Sequence, residues 1–122
     1  MRRAVGVASG VLLLASFTAA QASSLAGAYQ VAGKNVDGTA YSGTAEIAAT
    51  SDTTCKISWQ TAAATSQGIC MRNGNSFAAS YALGDTIGLV VYQIKPDGTL
   101  EGLWTIAGKP GVGAETLTPT KP

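Results

Sequence analysis

Period-two alternation of apolar and polar residues, broken at short intervals by Gly, Asn, Asp and Pro, constrains this chain more than any other feature. Eight such segments follow residue 22, at 27–32, 39–47, 54–60, 66–71, 76–81, 89–94, 99–106 and 114–118. Alternation gives a strand one dry and one wet face, and turn signals roughly every 8–12 residues suit an all-β barrel or sandwich. Helix signals are nearly absent, and Ala62-Ala63-Ala64 is too short to nucleate a helix, so it reads as a loop. The expected fold is all-β, an eight-stranded antiparallel up-and-down meander barrel preceded by a signal peptide. Closure is the economical arrangement because it removes exposed strand edges.

Turn chemistry proposes the register. In Lys95-Pro96-Asp97-Gly98, proline presets φ and glycine accepts the left-handed conformation that closes a three-residue loop. That loop pairs Gln93 with Glu101, turns Tyr92, Ile94, Leu100, Gly102, Trp104 and Ile106 inward, and leaves Leu89, Val91 and Leu103 outside. Asn73-Gly74, read as a two-residue hairpin loop, sets Met71 opposite Ser76, Cys70 opposite Phe77 and Gly68 opposite Ala79. A loop centred on Ala62-Ala63 sets Cys55 opposite Cys70 and Trp59 opposite Ser66. Both turns place Cys55, Ile57, Trp59, Gly68, Cys70, Phe77, Ala79 and Tyr81 on one face. Tyr41, Gly43, Ala45 and Ile47 follow the same inward rule. Inward glycines at 43, 68 and 102 suit tight curvature or space left for something. Asp37-Gly38-Thr39 and Asp97-Gly98-Thr99 read as the same turn used twice.

Residues 1–22 have the form of a secretory signal. Arg2 and Arg3 precede an uncharged apolar run at 4–20, and Ala20-Gln21-Ala22 offers a small-x-small cleavage site. The run is short for a membrane span and carries glycines and serines, so no span is expected after cleavage. The expected organisation is a signal peptide at 1–22, one barrel domain at 23–118 and a flexible tail at 119–122. Without Arg2 and Arg3, six Lys or Arg remain against seven Asp or Glu. A nearly neutral surface with Arg72 as its one arginine excludes nucleic acid as a partner. The expected location is outside the cytoplasm, periplasmic or extracellular.

Two cysteines in an exported chain, placed opposite each other by the hairpin register, predict a Cys55–Cys70 disulfide with a structural role. A redox site would want Cys-x-x-Cys at a helix start, which is missing. The chain has no histidine, so Ser-His or Cys-His catalysis has no base and a metal site lacks its commonest ligand. The four aspartates sit in turn contexts, and Glu46, Glu101 and Glu115 read as strand residues on the wet face. No catalytic residue, metal or cofactor is therefore expected, and the chain reads as a non-enzyme. The aromatic residues Tyr29, Tyr41, Trp59, Phe77, Tyr81, Tyr92 and Trp104 are left. Within a barrel they either line a pocket for a small apolar ligand or fill it, and a short barrel favours filling. Leu89, Val91 and Leu103, with Ile69 and Met71, form an outer apolar stripe suited to a protein partner or a homodimer.

Leu25-Ala26-Gly27-Ala28-Tyr29, the Asp-Gly turns and Glu101-Gly102-Leu103-Trp104 resemble small secreted bacterial barrels of the avidin and lipocalin, calycin-like type. Those families open their first strand with Gly-x-Trp, which Gly27-Ala28-Tyr29 nearly matches. A closer likeness, spanning nearly all of 27–118, is to short exported bacterial proteins without assigned activity. It is carried by Gly88-Leu89-Val90-Val91-Tyr92, Asp97-Gly98-Thr99-Leu100, Gly102-x-Trp104-Thr105 and Glu115-Thr116-Leu117-Thr118. Two tryptophans and no avidin-like polar set mean that the resemblance implies architecture and export rather than biotin or retinoid binding. The expected function is an exported binding module or cell-envelope accessory, with a secreted hydrolase inhibitor as the alternative. Inhibition would need a protruding loop, from 51–53, 62–65 or 109–113.

Overall fold

Eight β-rich segments with alternating faces must either expose two sheet edges or close, and here they close. The structure, a computed structural model, describes residues 22–120, so the expected signal segment lies outside it but for Ala22. A 3-10 turn, Ala22–Leu25, leads into β1 (Gly27–Lys34), β2 (Ala40–Ala49), β3 (Thr54–Thr61) and β4 (Thr65–Asn73). β5 (Ser76–Leu83), β6 (Thr86–Ile94), β7 (Leu100–Ile106) and β8 (Gly113–Pro119) complete the set. Each strand runs antiparallel to the next, and β8 pairs with β1 to seal the barrel. Pro119 and Thr120, expected in the tail, are tied to β1. Pro119 lies opposite Tyr29, and the Thr120 amide donates to Ala28 O at 2.9 Å. The rest of the expected tail, 121–122, lies outside the described residues.

Two of the three turn-derived registers hold. β3 and β4 pair Cys55 with Cys70 and Trp59 with Ser66, and β6 and β7 pair Gln93 with Glu101. The β4–β5 hairpin differs. Asn73 faces Ser76, Arg72 faces Phe77, Cys70 faces Ala79 and Gly68 faces Tyr81. Its loop is Gly74-Asn75 rather than Asn73-Gly74, with Gly74 in the left-handed region at φ 63°. Alternation fixes which face a residue takes, but a two-residue slide leaves the faces unchanged. Arg72 Nε donates to Gly74 O at 2.8 Å within this turn. The two Asp-Gly-Thr loops are alike in detail. Asp37 Oδ1 accepts from the Thr39 amide and hydroxyl, Asp97 Oδ1 does the same for Thr99, and each carboxyl is held below its usual pKa, chiefly by the backbone bond.

Strand direction divides the lumen into two ends. The end carrying the β2–β3, β4–β5 and β6–β7 loops is packed solid. Val31, Ile47, Ile57, Phe77, Leu100 and Leu117 fill it, and Leu25 is buried against them. Burying each large side chain contributes about 1.5–3 kcal/mol relative to leaving it exposed. Cys55 and Cys70 are joined within this packing, their Cα atoms 5.0 Å apart. A disulfide of this kind points to an oxidising, exported setting.

Candidate functional site

The opposite end is a different environment. Its loops, 35–39, 62–64, 84–85 and 107–112, stand around an open cavity of about 210 Å³. Tyr41 from β2, Trp59 from β3, Tyr81 from β5 and Trp104 from β7 form its walls, with Val90, Leu83 and Ile106 between them. Asn35, Thr61, Ala63, Ala64 and Ser66 surround the mouth. The lumen is therefore neither wholly filled nor wholly empty, and the expectation that the aromatic residues simply fill it holds for one half only.

Glycines explain the vacant half. Gly33 lies directly opposite Tyr41, Gly88 opposite Tyr81 and Gly113 opposite Trp104 on neighbouring strands. A Cβ at any of these glycines would overlap the facing ring. Each ring therefore occupies the place of its neighbour's missing side chain and lies along the wall rather than across the lumen. Tyr41 and Trp104 meet edge to face at 6.4 Å between centroids, and Trp59 and Tyr81 meet at 5.1 Å. Of the inward glycines noted in the sequence, Gly102 faces Tyr92 in the same way, whereas Gly43 and Gly68 admit close backbone approach.

At the base of the cavity lies Glu115. Its residue type predicts the wet outer face, but the structure buries it. Leu117 is fully buried, so two-residue alternation along β8 carries Glu115 and Gly113 inward with it. Glu115 is 8% exposed, and its Oε2 accepts from Trp59 Nε1 at 2.9 Å and from the Tyr92 hydroxyl, while Oε1 accepts from the Tyr41 hydroxyl at 2.8 Å. Trp104 Nε1 donates instead to Ala114 O at 3.3 Å. Burial, and next the Glu115 charge, raise the Tyr41 and Tyr92 hydroxyls well above the usual tyrosine pKa. The same two causes, in that order, push Tyr81 up to about 12.

The six lumen candidates thus separate. Tyr41, Trp59, Tyr81 and Trp104 line the cavity. Tyr92 lies beneath it, its ring tilted against Phe77 at 5.8 Å between centroids and its hydroxyl on Glu115. Tyr29 belongs to the packed end, where its hydroxyl donates to Leu25 O at 2.6 Å and burial raises its pKa. Among the described residues no cluster of three or more His, Cys, Asp or Glu could hold a metal, and no helix is long and apolar enough to cross a membrane.

The outer stripe is contiguous. Met71, Ala78, Val91, Leu103 and Ala114 follow one another across five neighbouring strands, with Ile69, Ile87 and Leu89 beside them. The six large members are exposed, Ile69 to 70% and Leu103 to 62%. Of the loops considered for inhibition, 62–65 and 109–113 stand at the cavity end, and 51–53 stands at the packed end.

No protein-family model matches the sequence, and no curated protein matches it. Solved structures share the fold. A redesigned β-barrel, b11L5F_LGL, matches at a TM-score of 0.73 and 18% identity, covering 84% of this chain and 97% of its own. A second redesigned barrel, mFAP1 bound to DFHBI, matches at 0.70 and 20% identity, covering 81% and 98%. The fluorescent protein UnaG, in a mutant form, matches at 0.52 and 9% identity, covering 80% and 96%. At these identities the likeness is one of architecture alone, a closed antiparallel barrel.

Proposed function

We propose that this chain is an exported, non-enzymatic barrel that binds a small molecule with a flat apolar body in the open half of its lumen. The observation that carries the reading is the cavity of about 210 Å³ walled by Tyr41, Trp59, Tyr81 and Trp104. A short barrel has inward side chains enough to fill itself, and here glycines opposite three of the rings hold the space open. The mFAP1 barrel bound to DFHBI offers a parallel for a small molecule held by this architecture. Binding rather than catalysis is the reading favoured by Glu115, the one carboxylate lining the cavity among the described residues, being engaged by Tyr and Trp donors. Export to the periplasm or beyond rests on the disulfide and the signal-like pattern at 1–22.

Both tryptophans of the chain line the cavity, so intrinsic fluorescence reports on it directly. Titration with a panel of one-ring and two-ring aromatic compounds should give saturable quenching by at least one member and a matching rise in Tm. A panel with no saturable binder by fluorescence or calorimetry overturns the reading. Expression of the full chain in a bacterial host should yield an exported protein whose mass corresponds to cleavage after Ala22. Retention of residues 1–22 in the cytoplasm contradicts export.

The contiguous outer face favours a second reading, in which a protein partner or a second copy covers Met71, Val91 and Leu103. Light scattering at high concentration separates the two occupants. A dimer that Leu103→Lys dissociates supports self-association, and a strict monomer excludes it.

A further inference from the structure

Glu115 is chemically surprising for the base of an apolar cup. Burying a carboxylate is expensive, and an amide could bridge the same strands without the charge. Tyr41, Trp59 and Tyr92 approach it as neutral donors. Among the described residues the cavity lining contains no Lys or Arg, the chain has no histidine, and the Lys95–Glu101 salt bridge lies on the outer surface. A carboxylate offers about four acceptor positions. Oε2 uses two, for Trp59 and Tyr92, and Oε1 uses one, for Tyr41. One position on Oε1 is left over.

The walls point the same way. Aromatic faces carry negative potential and attract a desolvated cation, and four aromatic rings line the cavity together with this carboxylate. The lining residues Asn35, Thr61 and Ser66 at the mouth are polar and uncharged, and the loops around it carry two carboxylates, Asp37 and Asp85, against one cation, Lys109, a balance that does not oppose entry of a cation. An anion entering would meet both the carboxylate and the rings unfavourably.

Resting on the reading of this cavity as a ligand site, we propose that its ligand is a small organic cation, a protonated amine on an apolar body about one ring in size. The ammonium group donates to the spare position on Glu115 Oε1 and sits against Tyr41, Tyr81 and Trp104, while the apolar body fills the space toward Val90 and Leu83. Glu115 is the specificity determinant and the aromatic residues form the cage.

Three probes of nearly equal size test this: phenethylamine, 2-phenylethanol and phenylacetate. Their affinities for the disulfide-bonded protein are read by tryptophan fluorescence and calorimetry at neutral pH. Phenethylamine should bind at least about tenfold more tightly than 2-phenylethanol, with phenylacetate weakest. In Glu115→Gln that preference should collapse to about equal binding of amine and alcohol. Glutamine can keep all three internal bonds if its amide nitrogen donates to Tyr41 and its oxygen accepts from Trp59 and Tyr92. The wild-type comparison stands even if the variant does not fold. Alcohol binding as tightly as amine overturns the cation assignment and leaves the cavity a ligand site. Phenylacetate binding most tightly reverses the assigned polarity. Absence of binding by all three overturns the assignment together with the reading beneath it.

Discussion

Two buried tyrosines offer a direct measure of what Glu115 does for the fold. Tyr92 and Tyr29 are 0% and 4% exposed, and each donates one hydroxyl hydrogen bond, Tyr92 to the Glu115 carboxylate and Tyr29 to the neutral carbonyl of Leu25. Phenylalanine in either place keeps the ring and deletes only the donor. A hydrogen bond to a charged acceptor contributes about 1.5–3 kcal/mol, a neutral one about 0.5–1.5. Trp59 remains on the same oxygen in Tyr92→Phe, so the lower part of the charged range applies, about 1.5–2 kcal/mol. For a domain of this size, that loss lowers Tm by about 6–16 °C, against about 2–12 °C for Tyr29→Phe. Circular dichroism melts and guanidinium titrations, with the disulfide intact in each protein, give both values. Two-state behaviour is checked by agreement of the two methods. If Tyr29→Phe costs as much as Tyr92→Phe, or Tyr92→Phe costs under about 0.5 kcal/mol, the description of Glu115 as a charged anchor is wrong.

Replacing Cys55 and Cys70 together with alanine opens a loop spanning a sequence separation of 15, and stability should fall by about 3 kcal/mol in the chain-entropy model. Equal guanidinium midpoints for the two proteins would show that the link is incidental. All four tyrosines have raised pKa values, Tyr81 about 12, so each stays neutral in the fold after it would ionise in the unfolded chain. Their contribution is therefore complete below the unfolded value of about 10 and is lost as pH climbs from there through the folded values. Tyrosinate absorbance should appear together with unfolding above that pH, and normal tyrosine titration in a protein still folded refutes the burial argument. Gly113→Ala should drive the Trp104 ring into the cavity, costing about 1–3 kcal/mol and shifting tryptophan emission. Unchanged emission would mean that the ring does not rest on that glycine.

Much of the barrel was legible in the chain, because alternation is a property of each strand by itself. The inward placement of Cys55, Ile57, Trp59, Phe77 and Tyr92 required only parity and one good turn nearby. Pro96-Asp97-Gly98 supplied such a turn, and it also put Leu89, Val91 and Leu103 outside, where the structure has them. Asn73-Gly74-Asn75 was ambiguous because glycine and asparagine both accept left-handed backbone, so the hairpin loop had two solutions with the same faces. Glu115 was misjudged on residue type, although Leu117 two positions along carried the correct parity.

What the sequence determined by itself was local: strand faces, most turns, and the pairing of two cysteines close along one hairpin. The tertiary structure alone decided that Glu115 of β8 meets Trp59 of β3, separated by 56 residues. It also decided that one half of the lumen stays open, since the rings seated on Gly33, Gly88 and Gly113 of neighbouring strands come round one shared cavity only when the sheet closes. The reason is physical. Alternation specifies a direction for each side chain, whereas its neighbours across a barrel follow from how many strands close and with what stagger.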